Sequence, residues 1–166
     1  MSGPFLLSGM MKKFIASILF FTVATPSFSA TSGIFLLRTQ VPRRVSISIA
    51  PVSVASALDL STTQTNLKVA NATAMSNSKT GFKVTFTSAN LGKLKRVTGA
   101  EVFPYSMKVG GLDVGLTTAS GTTFNVDQTA PVTVSRDITI SYTGKPAETM
   151  VEGTYLDTVT LTIAAR

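Results

Sequence analysis

Thr154-Tyr155-Leu156-Asp157-Thr158-Val159-Thr160-Leu161-Thr162-Ile163-Ala164 is the stretch that decides the fold class. Tyr155, Asp157, Val159, Leu161 and Ile163 occupy one set of alternate positions; Leu156, Thr158, Thr160 and Thr162 occupy the other. A period of two puts the sets on opposite sides of an extended chain, and β-branched residues pack well on a pleated surface. The spacing predicts one strand over residues 155–164, the strongest in the sequence. A fold that finishes on such a core strand is expected to leave one side open.

The same pattern recurs upstream. Val45-Ser46-Ile47-Ser48-Ile49 points three apolar side chains one way, and Phe82-Lys83-Val84-Thr85-Phe86 does the same with Lys83 and Thr85 on the wet face. Further strands are expected over residues 67–75, 102–109, 112–116, 123–126 and 132–142. Residues 30–166 hold 23 Thr, 15 Val and 6 Ile, a composition suited to strands and poor for helices. Lys79-Thr80-Gly81, Asn90-Leu91-Gly92, Ser120-Gly121 and Thr143-Gly144-Lys145-Pro146 punctuate the strands, and Gly110-Gly111 is a two-residue hairpin signal. Seven to nine short strands at this spacing predict an all-β, immunoglobulin-like β-sandwich over residues 44–166, with a barrel as the alternative.

Composition removes most catalytic chemistry. Among 166 residues there is no Cys, His or Trp. Ser-His-Asp and Cys-His nucleophiles, thiolate or imidazole metal sites, haem ligation of the usual kinds and disulfides are therefore excluded, which leaves scattered carboxylates and some Ser/Lys pairs. The eight carboxylates are scattered. Glu148 and Glu152 lie in a Gly/Pro-flanked loop, and Asp113, Asp127, Asp137 and Asp157 fall on separate strands or turns, so no catalytic, metal or cofactor-binding residue is assigned and no cofactor is expected. Gly110-Gly111-Leu112-Asp113-Val114-Gly115 lacks the following helix that a phosphate cradle needs. Asn71-Ala72-Thr73 matches a glycosylation acceptor by spacing alone. Tyr155 is expected to be a corner tyrosine whose hydroxyl caps a loop backbone.

The N-terminal end reads as a leader. Met11-Lys12-Lys13 precedes the apolar run Phe14-Ile15-Ala16-Ser17-Ile18-Leu19-Phe20-Phe21-Thr22-Val23, about half the ~20 residues needed to span a bilayer. Ser27-Phe28-Ser29 supplies small residues at the last and third-last places, so residues 1–29 are expected to be a secretory signal peptide. Without them the chain keeps 13 basic against 8 acidic side chains, a formal charge of +5. Lys93-Leu94-Lys95-Arg96, its largest basic cluster, has no interleaved aromatics to stack on bases. No nucleic-acid partner is expected, and a solvated face that discourages strand pairing is the simpler meaning.

After the leader comes Ala30-Thr31-Ser32-Gly33-Ile34-Phe35-Leu36-Leu37-Arg38-Thr39-Gln40-Val41-Pro42, an extended apolar stretch closed by proline. The leader, this extension, the Thr/Val-rich sandwich and the ending Gly153-Thr154-Tyr155-Leu156-Asp157-Thr158-Val159-Thr160-Leu161 resemble pilins of the chaperone–usher pathway. The ending is similar to the Gly-x-Tyr-x-Asp-x-Val-x-Val close of the spore-coat-U/secreted-pilin group. The absence of Cys, the Val41-Pro42 step and Asn77-Ser78-Lys79-Thr80-Gly81-Phe82-Lys83-Val84 resemble the alpha-type colonisation-factor fimbrial subunits.

That resemblance implies a pilin-type sandwich lacking its last strand, completed by donor-strand exchange. A periplasmic chaperone would fill the groove first, and at an outer-membrane usher the extension of another copy or a sister pilin would replace it. The product is a surface fimbrium supporting adhesion or biofilm formation. Residues 30–43 would be the donor extension. Phe35, Leu37, Thr39 and Val41 form the face expected to enter the groove; Ile34, Leu36, Arg38 and Gln40 form the other, whose second half is polar. The groove and chaperone-contact walls would be Val45, Ile47 and Ile49 on one side and Val159, Leu161 and Ile163 on the other. In the family a chaperone also holds the C-terminal carboxylate, which Arg166 would carry here. The alternative is a self-complete secreted sandwich, a binding or surface-coat protein, with residues 34–41 folded in cis as its first strand.

Overall fold

Alternation with a period of two runs through most of the strands, interrupted by irregularities between Gln64 and Leu67 and between Lys68 and Ala70. The computed structural model describes residues 32–166; the expected signal peptide, residues 1–29, and the first two residues of the extension lie outside the described residues. Gln40–Arg166 form one compact unit. Of the other unit, Met1–Thr39, the described residues 32–39 carry neither helix nor strand.

Eleven strands form among the described residues: β1 Val45–Pro51, β2 Gln64–Ser76, β3 Phe82–Ser88, β4 Lys93–Arg96, β5 Val102–Pro104, β6 Ser106–Val109, β7 Leu112–Val114, β8 Thr122–Val126, β9 Val132–Tyr142, β10 Tyr155–Leu156 and β11 Val159–Ala165. Two short 3-10 turns, Ser53–Ser56 and Ala147–Thr149, are the only helical elements among them. One sheet has the order β1-β2-β9-β6-β7, a second β11-β3-β8, and a third, smaller one β10-β4-β5. Every pairing is antiparallel. The fold is an all-β sandwich.

Its core joins inward positions from all three sheets: Ala70, Ala72, Ala74, Ile138 and Ile140 from the first, Phe82, Val84 and Phe86 from the second, Leu94 and Phe103 from the third. Phe86 meets Phe124 edge-on at 5.8 Å between ring centroids, and Phe103 meets Tyr142 likewise at 5.7 Å. This is the preferred arrangement for aromatic pairs. Val109 pairs with Leu112 across Gly110-Gly111, whose φ values of +57° and +84° suit a two-residue turn that side chains with a Cβ disfavour.

Two expectations about strands are corrected. Residues 155–164 do not form one strand, because Asp157 and Thr158 separate β10, paired with β4, from β11, paired with β3. Residues 102–109 likewise divide at Tyr105 into β5 and β6, which belong to different sheets. Lys93–Arg96, expected to be a solvated face, is the first strand of a hairpin with β5. Both breaks meet at one carboxylate, and the one at Tyr105 also follows Pro104, which has no N–H to give a ladder. The Asp157 carboxylate accepts hydrogen bonds from Tyr105 Oη at 2.6 Å, Ser88 Oγ at 2.6 Å and the Asn90 backbone N–H at 3.0 Å. Three donors converging on one acceptor draw these segments out of simple strand continuation.

Candidate functional site

β1 and β11 each have a partner on one side only, β2 and β3 respectively. They belong to different sheets, approach within 8 Å between Cα atoms, and form no ladder with one another. Backbone polar groups on such edges call for partners, and an added strand can supply them. At one end the chain is tied across: Arg43 Nη1 donates to the Arg166 carbonyl oxygen at 3.2 Å. Toward the other end an apolar cleft of 340 Å³ opens, bounded by Ile49 and Pro51 of β1, Val159 and Leu161 of β11, and Ala70, Ile138 and Ile140 beneath. A second cleft, of 410 Å³, lies between the sheets toward β8, lined by Ile47, Ala72 and Ala74, by Phe82, Val84 and Phe86, and by Phe124 and Val126, with no residue of β11 in its lining.

Each residue expected in the groove can be placed. Ile49, Val159 and Leu161 line the first cleft and Ile47 lines the second. Val45 and Ile163 are half-buried and pack against the core at the tied end. Ile49 is the most open of the six, with 42% of its surface exposed. β1 and β11 therefore bring all six to one side of the sandwich.

The expected donor positions lie elsewhere in burial. Phe35, Leu37 and Val41 are 84%, 82% and 77% exposed, and Thr39 is exposed as well. Ile34 and Leu36, on the opposite face, are equally open, so exposure does not choose between the faces. Between this segment and β1 the backbone is clamped by Asn77. Its Nδ2 donates to the Pro42 carbonyl at 3.0 Å, its Oδ1 accepts from the Arg44 N–H at 2.6 Å, and its own N–H donates to the Arg44 carbonyl at 3.1 Å. Asn77 was missed as a functional residue. Its only sequence signal is a polar residue at the β2–β3 turn.

Asp157 sits at the rim of the cleft as well as at the junction of β10 and β11. Burial, with the Asp157 carboxylate second, pushes the Tyr105 hydroxyl well above the ordinary tyrosine range, so that it stays a donor. Tyr155 Oη donates to the Val151 carbonyl at 2.8 Å, the geometry of a corner tyrosine.

The basic cluster is divided by strand alternation. Lys93 and Lys95 are exposed, whereas Arg96 Nε donates to Glu101 Oε2 at 2.7 Å, which raises the arginine and holds the glutamate below its usual range. Arg166 is engaged within the chain. Its N–H donates to the Gly81 carbonyl at 3.1 Å, its guanidinium pairs with Asp127, and its carbonyl oxygen accepts from Thr80 Oγ1 as well as Arg43. Asn71 is tied to Asp137 through its Nδ2 at 2.8 Å within β2.

No family model matches the chain, and no curated protein matches it. Among solved structures, one similar fold is the E. coli Hda pilus minor tip subunit, HdaB, at 14% identity and a TM-score of 0.38, covering 71% of this chain and 79% of that one. A superposition this loose assigns no function, and the reading below rests on the cleft and the sequence.

Proposed function

We propose that this protein is a structural, non-catalytic subunit of a surface fibre, in which the cleft between β1 and β11 accepts residues 34–41 of another copy or a sister subunit. The observation that carries the reading is a complementary pair within one chain. Two facing strand edges flank an apolar cleft, and an alternating apolar segment stands exposed beside a proline.

The lengths agree. Phe35 to Val41 spans six residue steps, roughly 20 Å at ~3.4 Å per step, which is about the length of β11. Three large side chains stabilise by ~1.5–3 kcal/mol each on burial, and ladder hydrogen bonds add ~1 kcal/mol net apiece. Together these exceed the cost of ordering a short tail. Because the contact is head-to-tail, it propagates into a fibre.

A subunit with an open cleft needs temporary cover before assembly. A periplasmic chaperone supplies that cover in this reading, an outer-membrane usher exchanges it for the donor segment, and the fibre serves adhesion or biofilm formation at the cell surface. The sequence resemblance and the expected leader support this route.

Deletion of residues 30–41 tests the reading. The shortened chain is expected to stay folded, form no fibres, and bind a synthetic peptide of residues 31–42 saturably. A full-length chain that purifies as a cooperative monomer, and a shortened one that unfolds, would instead mean that the segment completes its own sandwich.

A further inference from the structure

One residue of β9 breaks the apolar pattern of its inward face. Val132, Val134, Ile138 and Ile140 take the inward places of that strand, and the same parity puts Arg136 among them, opposite Ala72 on β2. A charged side chain at such a place is uncommon unless it is paired. Among the described residues the Arg136 guanidinium enters no ion pair. Its stem lies against the β6–β7 turn, where a Cβ on Gly110 would stand 2.6 Å from Arg136 Cδ. The Gly110 N–H donates to the Asp137 carbonyl at 2.9 Å, which fixes the turn beside the arginine.

Arg136 stands in the lining of the 410 Å³ cleft toward β8. The interior there is apolar, with Phe82, Phe86 and Phe124 as its largest side chains, and the lining carries two charged residues, Arg136 and Asp127. They are not equivalent. Asp127 is neutralised by the Arg166 guanidinium, whereas Arg136 keeps its charge for another partner. The volume holds roughly a dozen methylene-sized groups at ~30 Å³ each. A largely apolar cavity of this size with few polar groups is the ordinary form of a small-molecule site.

We propose that this cleft binds a small anionic amphiphile: a single aliphatic chain lying among the phenylalanines, with a terminal carboxylate on Arg136. The planar guanidinium matches a carboxylate in shape as well as charge, and apolar walls beside it strengthen the pair. An inward charge can also guard a free strand edge, and β9 pairs only with β2 over residues 132–136. A guard has no need of the cavity and predicts no ligand. The proposal goes beyond the fibre reading and does not depend on it, because the cleft borders no residue of β11.

Calorimetric titration of the full-length chain with decanoate and with decanol tests it. The parent is expected to bind decanoate saturably and more tightly than hexanoate, since each buried methylene adds to affinity. Arg136→Gln should weaken decanoate at least about tenfold while leaving decanol unchanged, and Lys95→Gln, the same change of charge on an exposed lysine of β4, should alter neither. Ala74→Leu, which fills this cleft and does not line the other, should weaken both ligands at least about tenfold. Urea unfolding run alongside identifies a variant that fails to fold, and Ala74→Val then replaces Ala74→Leu with the same loss expected. No saturable binding of decanoate, an equal response to Arg136→Gln and Lys95→Gln, or binding untouched by the filled cleft overturns the proposal, and each leaves the fibre reading standing.

Discussion

Two neighbouring regions of this sandwich are finished in opposite ways. At the junction of β10 and β11, one carboxylate gathers donors from residues 52 to 69 positions away, and the segments it joins are fixed in three different sheets. A few residues along, β11 runs beside β1 with no strand between them and an apolar cleft opening over alanines. The closed region holds the chain together through polar convergence. The open one leaves apolar surface and one-sided strand edges beside a cleft. Stability and assembly should therefore respond to different residues.

The largest separation is expected from Leu37→Asp. Leu37 is 82% exposed, so the change should leave the unfolding of the isolated chain within about 0.5 kcal/mol of the parent. Seating an aspartate where a leucine plugs the cleft forfeits burial and desolvates a charge, a loss of about 3 kcal/mol or more, roughly a hundredfold or greater in affinity. Electron microscopy and sedimentation should find fibres abolished, with Arg38→Ala assembling nearly as the parent does. Equal defects in both variants would place the wrong face in the cleft.

Asp157→Ala strikes the other region. It strands the donors Ser88 Oγ, Tyr105 Oη and the Asn90 N–H, and leaving buried donors unsatisfied costs about 1–3 kcal/mol each, less whatever water recovers. Urea unfolding should show a loss of about 3 kcal/mol in total. A loss under about 1 kcal/mol would mean that the junction is held by apolar packing instead.

The same contrast separates what was legible in the sequence from what was not. Period two is a local signal, so the residues sharing a face on β1, β3 and β11 could be read directly, and Gly110-Gly111 announced its turn through the positive φ that glycine tolerates. The division of residues 102–109 and 155–164 was missed because it depends on Tyr105 and Asp157 meeting across 52 positions of chain. The apolar alternation runs on through both residues, although Pro104 beside Tyr105 is a local signal of a break. Ala70, Ala72 and Ala74 also escaped notice, since an alanine is unexceptional in a strand until its opposite neighbours are known. Asn77 showed only as a polar residue in a turn, and its hold on Pro42 and Arg44 exists only once β1 pairs with β2.

The smallest effect expected here is also the most diagnostic of the closed region. Tyr105→Phe keeps the ring and removes one hydrogen bond to a carboxylate, a loss of about 1.5–3 kcal/mol at neutral pH before water fills the place. The tyrosine's folded pKa is raised above its unfolded value of about 10, first by burial and then by Asp157. Its contribution is thus fully present below pH ~10 and is lost as pH rises further, because the unfolded chain releases the proton while the folded chain retains it. The Tyr142 hydroxyl is raised as well, chiefly by burial, so the parent's own decline is composite. Subtracting the variant's stability from the parent's at each pH isolates Tyr105: the difference should be flat up to pH ~9.5 and shrink above it. A difference that stays constant to pH 11 would show that the hydroxyl ionises as freely in the folded chain as in water, and the junction would then be far wetter than the convergence on Asp157 implies.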